Sequence, residues 1–237
     1  MALPKLGIPT YEVEVPSTGK TIKYRPFLVK EEKVLLLALE SKDDDQVKTA
    51  VKDLLKNCIQ SRIKIDSLAI FDLEYLFLKI RGASIGETIE MQVVCRDDNK
   101  TKVTAIIDIN SVEVDIPKEA SNKIMLSEDS GVIMKYPGID TFIDVNFLNF
   151  DINNEKIFEV MADSIDQIFD GEEIYDSSTT SKKEMIQFIE NLTRKQFEQI
   201  ETFFENIPKL KCEFSAVNPN TGVKSDYTVE GLSNFFG

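Results

Sequence analysis

Four times in this chain, two short runs of strand-forming residues flank a brief polar turn. Runs so close in sequence pair with each other as antiparallel hairpins. "YEVEV" and "TIKYRPF" enclose Pro16-Ser17-Thr18-Gly19-Lys20, with proline and glycine where a turn wants them. Ile89, Met91 and Val93 alternate in twos, as do Val103, Ala105, Ile107 and Ile109, around the polar turn "RDDNK". "NKIMLSEDSGVIMKYPG" reads as a third pair turning at Glu128-Asp129-Ser130-Gly131. Pro137 ends it, because proline cannot continue a central ladder. The last pair lies in "LKCEFSAVNPNTGVKSDYTVEGLSNFF", with Asn218-Pro219-Asn220-Thr221-Gly222 as its turn. Its layout echoes the 87–114 hairpin, at too low an identity to be a repeat.

Helical patterns fill the intervals. "VKEEKVLLLALES" predicts a helix beginning near Lys30, with Val34, Leu35, Leu37 and Leu39 as its apolar residues. "KDDD" at 42–45 is a polar break that supplies a cap. Val47, Val51, Leu54, Leu55, Cys58 and Ile59 then fall on one helical face. "SRIKIDSLAIF" suggests a short extended piece. "DLEYLFLKIRGASIG" predicts a helix capped by Asp72, striped by Leu73, Leu76, Phe77 and Ile80, and ended by Gly82 or Gly86. "NNEKIFEVMADSIDQIFD" carries Ile157, Phe158, Met161, Ile165, Ile168 and Phe169 at helical spacing, and "GEEIYDSSTT" is a loop or short extended link. "SKKEMIQFIENL" and "TRKQFEQIETFFENI" are two helices or one kinked helix; Thr193 with Gln196 makes a capping box that favours a break at Leu192. The fold class is therefore α+β, several hairpins (N-terminal, central and C-terminal) packed with about five or six helices, without a transmembrane segment. The expected divisions are 1–86, a hairpin with helices; 87–150, a hairpin region; and 151–237, helices with a C-terminal hairpin. They form one or two compact units.

"STGKT" at 17–21 imitates the end of a phosphate-binding loop, but Glu14 stands where the first glycine belongs. "IKYRPF" follows and runs into Pro26, so no helix N-terminus is offered to a phosphate. With 41 acidic against 28 basic residues, the net charge of −13 opposes contact with a nucleic-acid backbone. From Asp140 to Asp176 there are eleven acidic residues and one basic, Lys156. This block is either a solvated surface or a docking face for a basic partner. There is no histidine, which removes histidine-based triads, and no C-x-x-C pair, which argues against zinc. Carboxylate pairs such as Asp72/Glu74 and Glu172/Glu173 occur, as in any acidic chain, and nothing marks a pocket around them. Cys95 and Cys212 stand singly on the first strands of two hairpins. Isolated cysteines suit a reducing cytoplasm, and "MALPKLGIPT" does not resemble a signal peptide. No enzyme activity, cofactor or metal is expected.

Candidate partner contacts are residues whose apolar or aromatic character lacks an obvious local use. Leu3, Leu6 and Ile8 punctuate a proline-broken arm and are spaced to enter a groove on another subunit. The other reading is a strand covering this chain's own core. Tyr24 and Arg25 in "IKYRPF", and Tyr136 in "MKYP", either contact a partner or close a strand edge over the core. Phe235 and Phe236 either anchor the last strand or insert into a neighbour.

"LPKLGIPTYEVEVPSTGKTIKYRPFLVKEEKVLLLALES", "FDLEYLFLKIRGASIGE", "MKYPG" and "VEGLSNFF", in this order, resemble the T4-type bacteriophage baseplate hub assembly family. The likeness covers most of the chain. It implies a non-enzymatic protein that helps build the central hub of a contractile tail's baseplate. The implied partners are other hub or tail proteins, with no nucleic acid and no membrane. The implied location is the infected host's cytoplasm during assembly, with the virion baseplate as a further place. Some members carry cysteine pairs in their hairpins, and here this chain departs. The alternative is an adaptor that binds nucleic acid or a nucleotide.

Overall fold

The computed structural model describes residues 6–117, 121–148 and 154–235. The strands are β1 (Tyr11–Val15), β2 (Lys20–Tyr24), β3 (Thr88–Val94), β4 (Lys102–Asp108), β5 (Glu113–Asp115), β6 (Lys123–Met125), β7 (Ser130–Met134), β8 (Ile165–Asp170), β9 (Glu173–Asp176), β10 (Lys209–Val217) and β11 (Lys224–Glu230). The helices are α1 (Val29–Ser41), α2 (Asp44–Cys58), α3 (Ile70–Ile85), α4 (Ile139–Phe147), α5 (Asn154–Asp163), α6 (Lys182–Glu190) and α7 (Arg194–Glu205). The strands form four small antiparallel sheets, ordered β1-β2, β3-β4, β11-β10-β5 and β6-β7-β8-β9. The chain is α+β, with seven α-helices among the described residues.

"STGKT" is a hairpin turn. Gly19 has φ +65°, a left-handed conformation that glycine adopts without steric cost, and Lys20 opens β2. Val13, Val15, Ile22 and Tyr24 point inward. The turn is pinned to the start of α3, where Ser17 donates from its backbone N–H (2.9 Å) and its hydroxyl (2.6 Å) to the Asp72 carboxylate. Asp72 lies one turn inside the helix rather than at the cap, which is Ala69, and its carboxylate reaches back to the Ala69 N–H. A negative group at this end complements the helix dipole.

Asp43 caps α2 by accepting from the Asp45 and Gln46 amides, and the face from Val47 to Cys58 is buried. Residues 65–67 form a 3-10 turn in place of the extended piece expected there. Gly82 lies within α3, where the Ile109 side chain packs against it, and Gly86 ends the helix. The third hairpin turns two residues earlier than the spacing predicts, because Ser130 and Gly131 already belong to β7. A side chain at Gly131 would overlap the Ile124 carbonyl and the Phe169 ring.

Two further elements depart from the sequence reading. Ile139–Phe147 is an additional helix, packed against α2 and α3. The helix expected through Phe169 stops at Asp163, and Ile165–Asp170 is a strand. The physical reason is tertiary: β7 offers a ladder in which Val132 pairs with Ile168 and Gly131 with Phe169. The "GEEIYDSSTT" link supplies β9, which extends that ladder. The predicted break between α6 and α7 is present, with Thr193 and Gln196 bonded reciprocally. The hairpin echo also has a structural basis. Cys95 N–H bonds to Thr101 O and Asn99 N–H to Cys95 O; Asn218 N–H bonds to Val223 O and Gly222 N–H to Asn218 O. Asn99 and Gly222 take the same left-handed place in these two turns.

The buried apolar residues form two clusters. One gathers the first hairpin, α2, α3, α4, the inner residues of β3, β4 and β10, and Leu232 with Phe235. The other joins the β6–β9 sheet to α5, α6 and α7. Tyr136 links them: its ring meets Phe71 edge-on at 5.1 Å and stacks on Phe203 at 5.5 Å. Between β2 and α1, the Arg25 guanidinium donates to both Glu31 oxygens, at 2.9 and 2.7 Å, and to Pro26 O. Glu31 also accepts the Leu28 N–H.

Phe203→Ala should cost about 3 kcal/mol or more, because it removes a buried ring from the second core and from the link to Tyr136; chemical denaturation measures this, and an unchanged midpoint would refute the packing. The Arg25 pairing, with the Leu28 amide, holds the Glu31 carboxyl below the usual carboxylate range. A depressed acid pKa stabilises the fold fully above the unfolded value of 4.5, and that contribution fades as pH falls through the lower folded value. Glu31→Gln should therefore cost roughly 2–4 kcal/mol at neutral pH and progressively less at acid pH. Denaturation at a series of pH values checks this; an equal cost at every pH would contradict it.

Candidate partner interface

The structure separates the sequence-predicted contact residues into groups. Leu6 and Ile8 sit on the arm before β1, and Leu6 is 87% exposed. Thr10 donates to the Gln60 side chain, which fixes the point where the arm leaves the body. Tyr24 is buried; its ring stacks on Tyr11 at 5.6 Å, and burial raises its hydroxyl pKa. Arg25 is engaged with Glu31. Tyr136 joins the two cores, and Phe235 is buried beneath the last turn. Leu3 and Phe236 lie outside the described residues. Tyr24, Arg25 and Phe235 thus have packing roles within this chain, and Leu6 and Ile8 are the exposed members.

A surface not singled out by spacing lies on α1. Leu35 and Ala38 face the body, while Val29, Val34, Leu36, Leu37 and Leu39 are exposed, Val29 to 81%. The one signal for it in the sequence is the unbroken run "VLLLAL": apolar residues on all sides of a helix exceed what one supporting neighbour can cover. Shallow clefts of about 500 and 270 Å³ run between α1 and α2. Val34, Ala50 and Asp53 line both, and Asp43 and Asp45 add carboxylates to the larger.

Much of the acidic 140–176 block is committed internally. Asp144 pairs with Lys48 at 3.0 Å and Asp140 with Lys52 at 2.8 Å, tying α4 to α2. Lys182 reaches Asp163 and Glu159, and Lys135 reaches Asp166. Glu172 lies at an exposed turn, and Glu173, which opens β9, accepts from the Tyr175 hydroxyl. At the ends of the two matching hairpins, Asn218 Nδ2 donates to Asp97 and Asp98, and the Thr221 hydroxyl donates to Asp97. Asp97 and Asp98 are held below the usual carboxylate range, chiefly by the Thr221 and Thr101 hydroxyls respectively. These polar bonds join the hairpin tips, and Cys95 and Cys212 are buried. No group of three or more metal-ligating side chains is arranged around an ion position among the described residues.

Another cleft, of about 700 Å³, lies between the β6–β9 sheet and α6–α7, walled by Leu126, Ile168, Phe169, Phe188 and Leu192. Its carboxylates have structural duties: Glu184 accepts from Ser181 at the α6 cap, and Asp170 from Ser130. Burial pushes the Cys58 thiol up to about 11, so it stays protonated at neutral pH. Glu74 is buried with its pKa raised by desolvation, and Asn146 donates to it. These arrangements support packing and binding surfaces. No helix among the described residues is long and apolar enough to cross a membrane.

The family model described as T4 bacteriophage base plate protein matches residues 8–237. No match was found among curated proteins or among solved structures. Nearly the whole described body, both cores and all four sheets included, falls within the matched span, and the chain belongs to the T4 bacteriophage base plate protein family.

Proposed function

We propose that this protein is a non-enzymatic structural or assembly component that helps build the central hub of a contractile tail's baseplate. It acts through contacts with other hub or tail proteins. Family membership supplies the baseplate setting. The carrying observation is the arm: Leu6 and Ile8 are large apolar side chains left at the surface ahead of β1. Their burial against another subunit would release apolar area from water, which drives most association. Ordering the arm opposes this, so its affinity comes from a few anchors.

Deleting residues 2–8, or replacing Leu6 and Ile8 together by Asp, should abolish hub assembly while leaving the melting temperature unchanged. Assembly is read from sedimentation of hub intermediates. A large fall in melting temperature would return the arm to this protein's own fold and remove it from the contact surface.

A nucleic-acid or nucleotide adaptor is disfavoured by the Gly19 turn, which leads into β2 instead of a helix, and by the net charge of −13. Filter binding with DNA and with ATP should show no retention above background at physiological salt. Tight, salt-sensitive DNA retention would reverse the ranking.

A further inference from the structure

The outward face of α1 has a symmetry of its own. Val29, Lys33, Leu36, Leu37 and Glu40 are all exposed and recur at intervals that place them on one side of a helix. Lys33 stands three residues before Leu36, and Glu40 three residues after Leu37. Neither charge enters an ion pair among the described residues, whereas Lys48 and Lys52 on α2 are both paired. The face therefore has an apolar centre flanked by a cation, Lys33, and an anion, Glu40, each three residues out, with the exposed Lys30 at its edge.

We propose that α1 packs against α1 of a second copy of this chain, antiparallel, about a two-fold axis passing between Leu36 and Leu37. Such an axis brings residues whose numbers sum to 73 to the same height. Leu36 and Leu37 of the two copies form the apolar centre. Lys33 of each copy lies beside Glu40 of the other, so two opposite-charge contacts form at once. A parallel pairing would set Lys33 against Lys33 and Glu40 against Glu40. The same patch is used on both copies, as a closed two-fold interface requires. Glu32, at the edge of the face, comes level with Ser41 and meets no like charge. A helix of 13 residues presents a strip about 20 Å long. That is small for a specific interface, so the dimer is reversible, with a dissociation constant on the order of 10 µM.

Sedimentation velocity on the full chain, from about 1 µM to several hundred micromolar, tests this. The wild-type protein should shift from monomer to dimer, and Leu36→Glu should remain monomeric throughout. Lys33→Glu alone and Glu40→Lys alone should each weaken the dimer by about tenfold, since each sets like charges together. An equimolar mixture of these two variants should regain wild-type association, because one then carries acidic side chains at both positions and the other basic ones. The double variant Lys33→Glu/Glu40→Lys should also regain it. All of these positions are exposed, so circular dichroism should show unchanged folding. If Leu36→Glu were misfolded, the charge-mixing result would still decide. A wild-type chain that stays monomeric at several hundred micromolar overturns the proposal. So does a mixture that fails to recover. Neither result would touch the arm-mediated hub contact, which uses Leu6 and Ile8.

Discussion

β10 is the strand on which the larger core depends. It has a partner on each side, β11 through seven residue pairs and β5 through three. Leu210 and Cys212 point inward from it, and the chain then places Leu232 and Phe235 under α3 and α4. A core begun by residues 11–115 is thus closed by residues 209–235. Such pairing brings its reward only after a long loop has been closed. The Asn218–Asp97–Asp98 bonds at the hairpin tips secure the same closure from its outer end. Between these two stretches of chain lies the β6–β9 sheet with its own helices, attached through Tyr136, which meets Phe71 edge-on and stacks on Phe203.

Most elements were legible because their local signals agreed with their tertiary surroundings. The Val47–Cys58 stripe, the Thr193/Gln196 box and the Asn218–Gly222 turn each state one structure, and each is present. The segment Ile165–Phe169 carried a spacing compatible with a helix, and only the open edge of β7 makes it a strand. Ile139–Phe147 is rich in β-branched and aromatic residues, which weakens helical propensity; packing on α2 and α3 supplies what propensity lacks. Register at the third turn moved because Gly131 fits where the chain approaches Ile124 and Phe169 closely, a contact invisible in one dimension. For the candidate interface, sequence singled out the arm as one of two readings, and the structure leaves its Leu6 and Ile8 exposed. Sequence could not say which side of α1 would stay exposed. It also could not distinguish a tyrosine under the core from one offered to a partner, since Tyr24 and Tyr136 look alike in sequence.

The acidity of the chain also has a structural account. Asp43 caps a helix, Asp72 pins the first hairpin to α3, Asp98 holds its own turn, and Asp140 and Asp144 tie α4 to the lysines of α2. These carboxylates act through hydrogen bonds at fixed positions, so they contribute to shape as well as to net charge. Fewer acidic side chains therefore stand free at the surface than the composition suggests.

The support of α1 sets its local stability. Its substantial helix packing is with α2, and much of its apolar surface faces outward. Its N-terminal end is fastened by Arg25 and Glu31, while its C-terminal end passes through Lys42 in a left-handed conformation. Lifting away from α2 would uncover Leu35 and Ala38 and the α2 residues beneath them, while the sheets and α3 would keep their own contacts. In amide hydrogen exchange, α1 should therefore belong to a low-energy opening unit, releasing deuterium well before α2 or α3. A partner that covers it would slow that exchange in α1 far more than in the helices behind it.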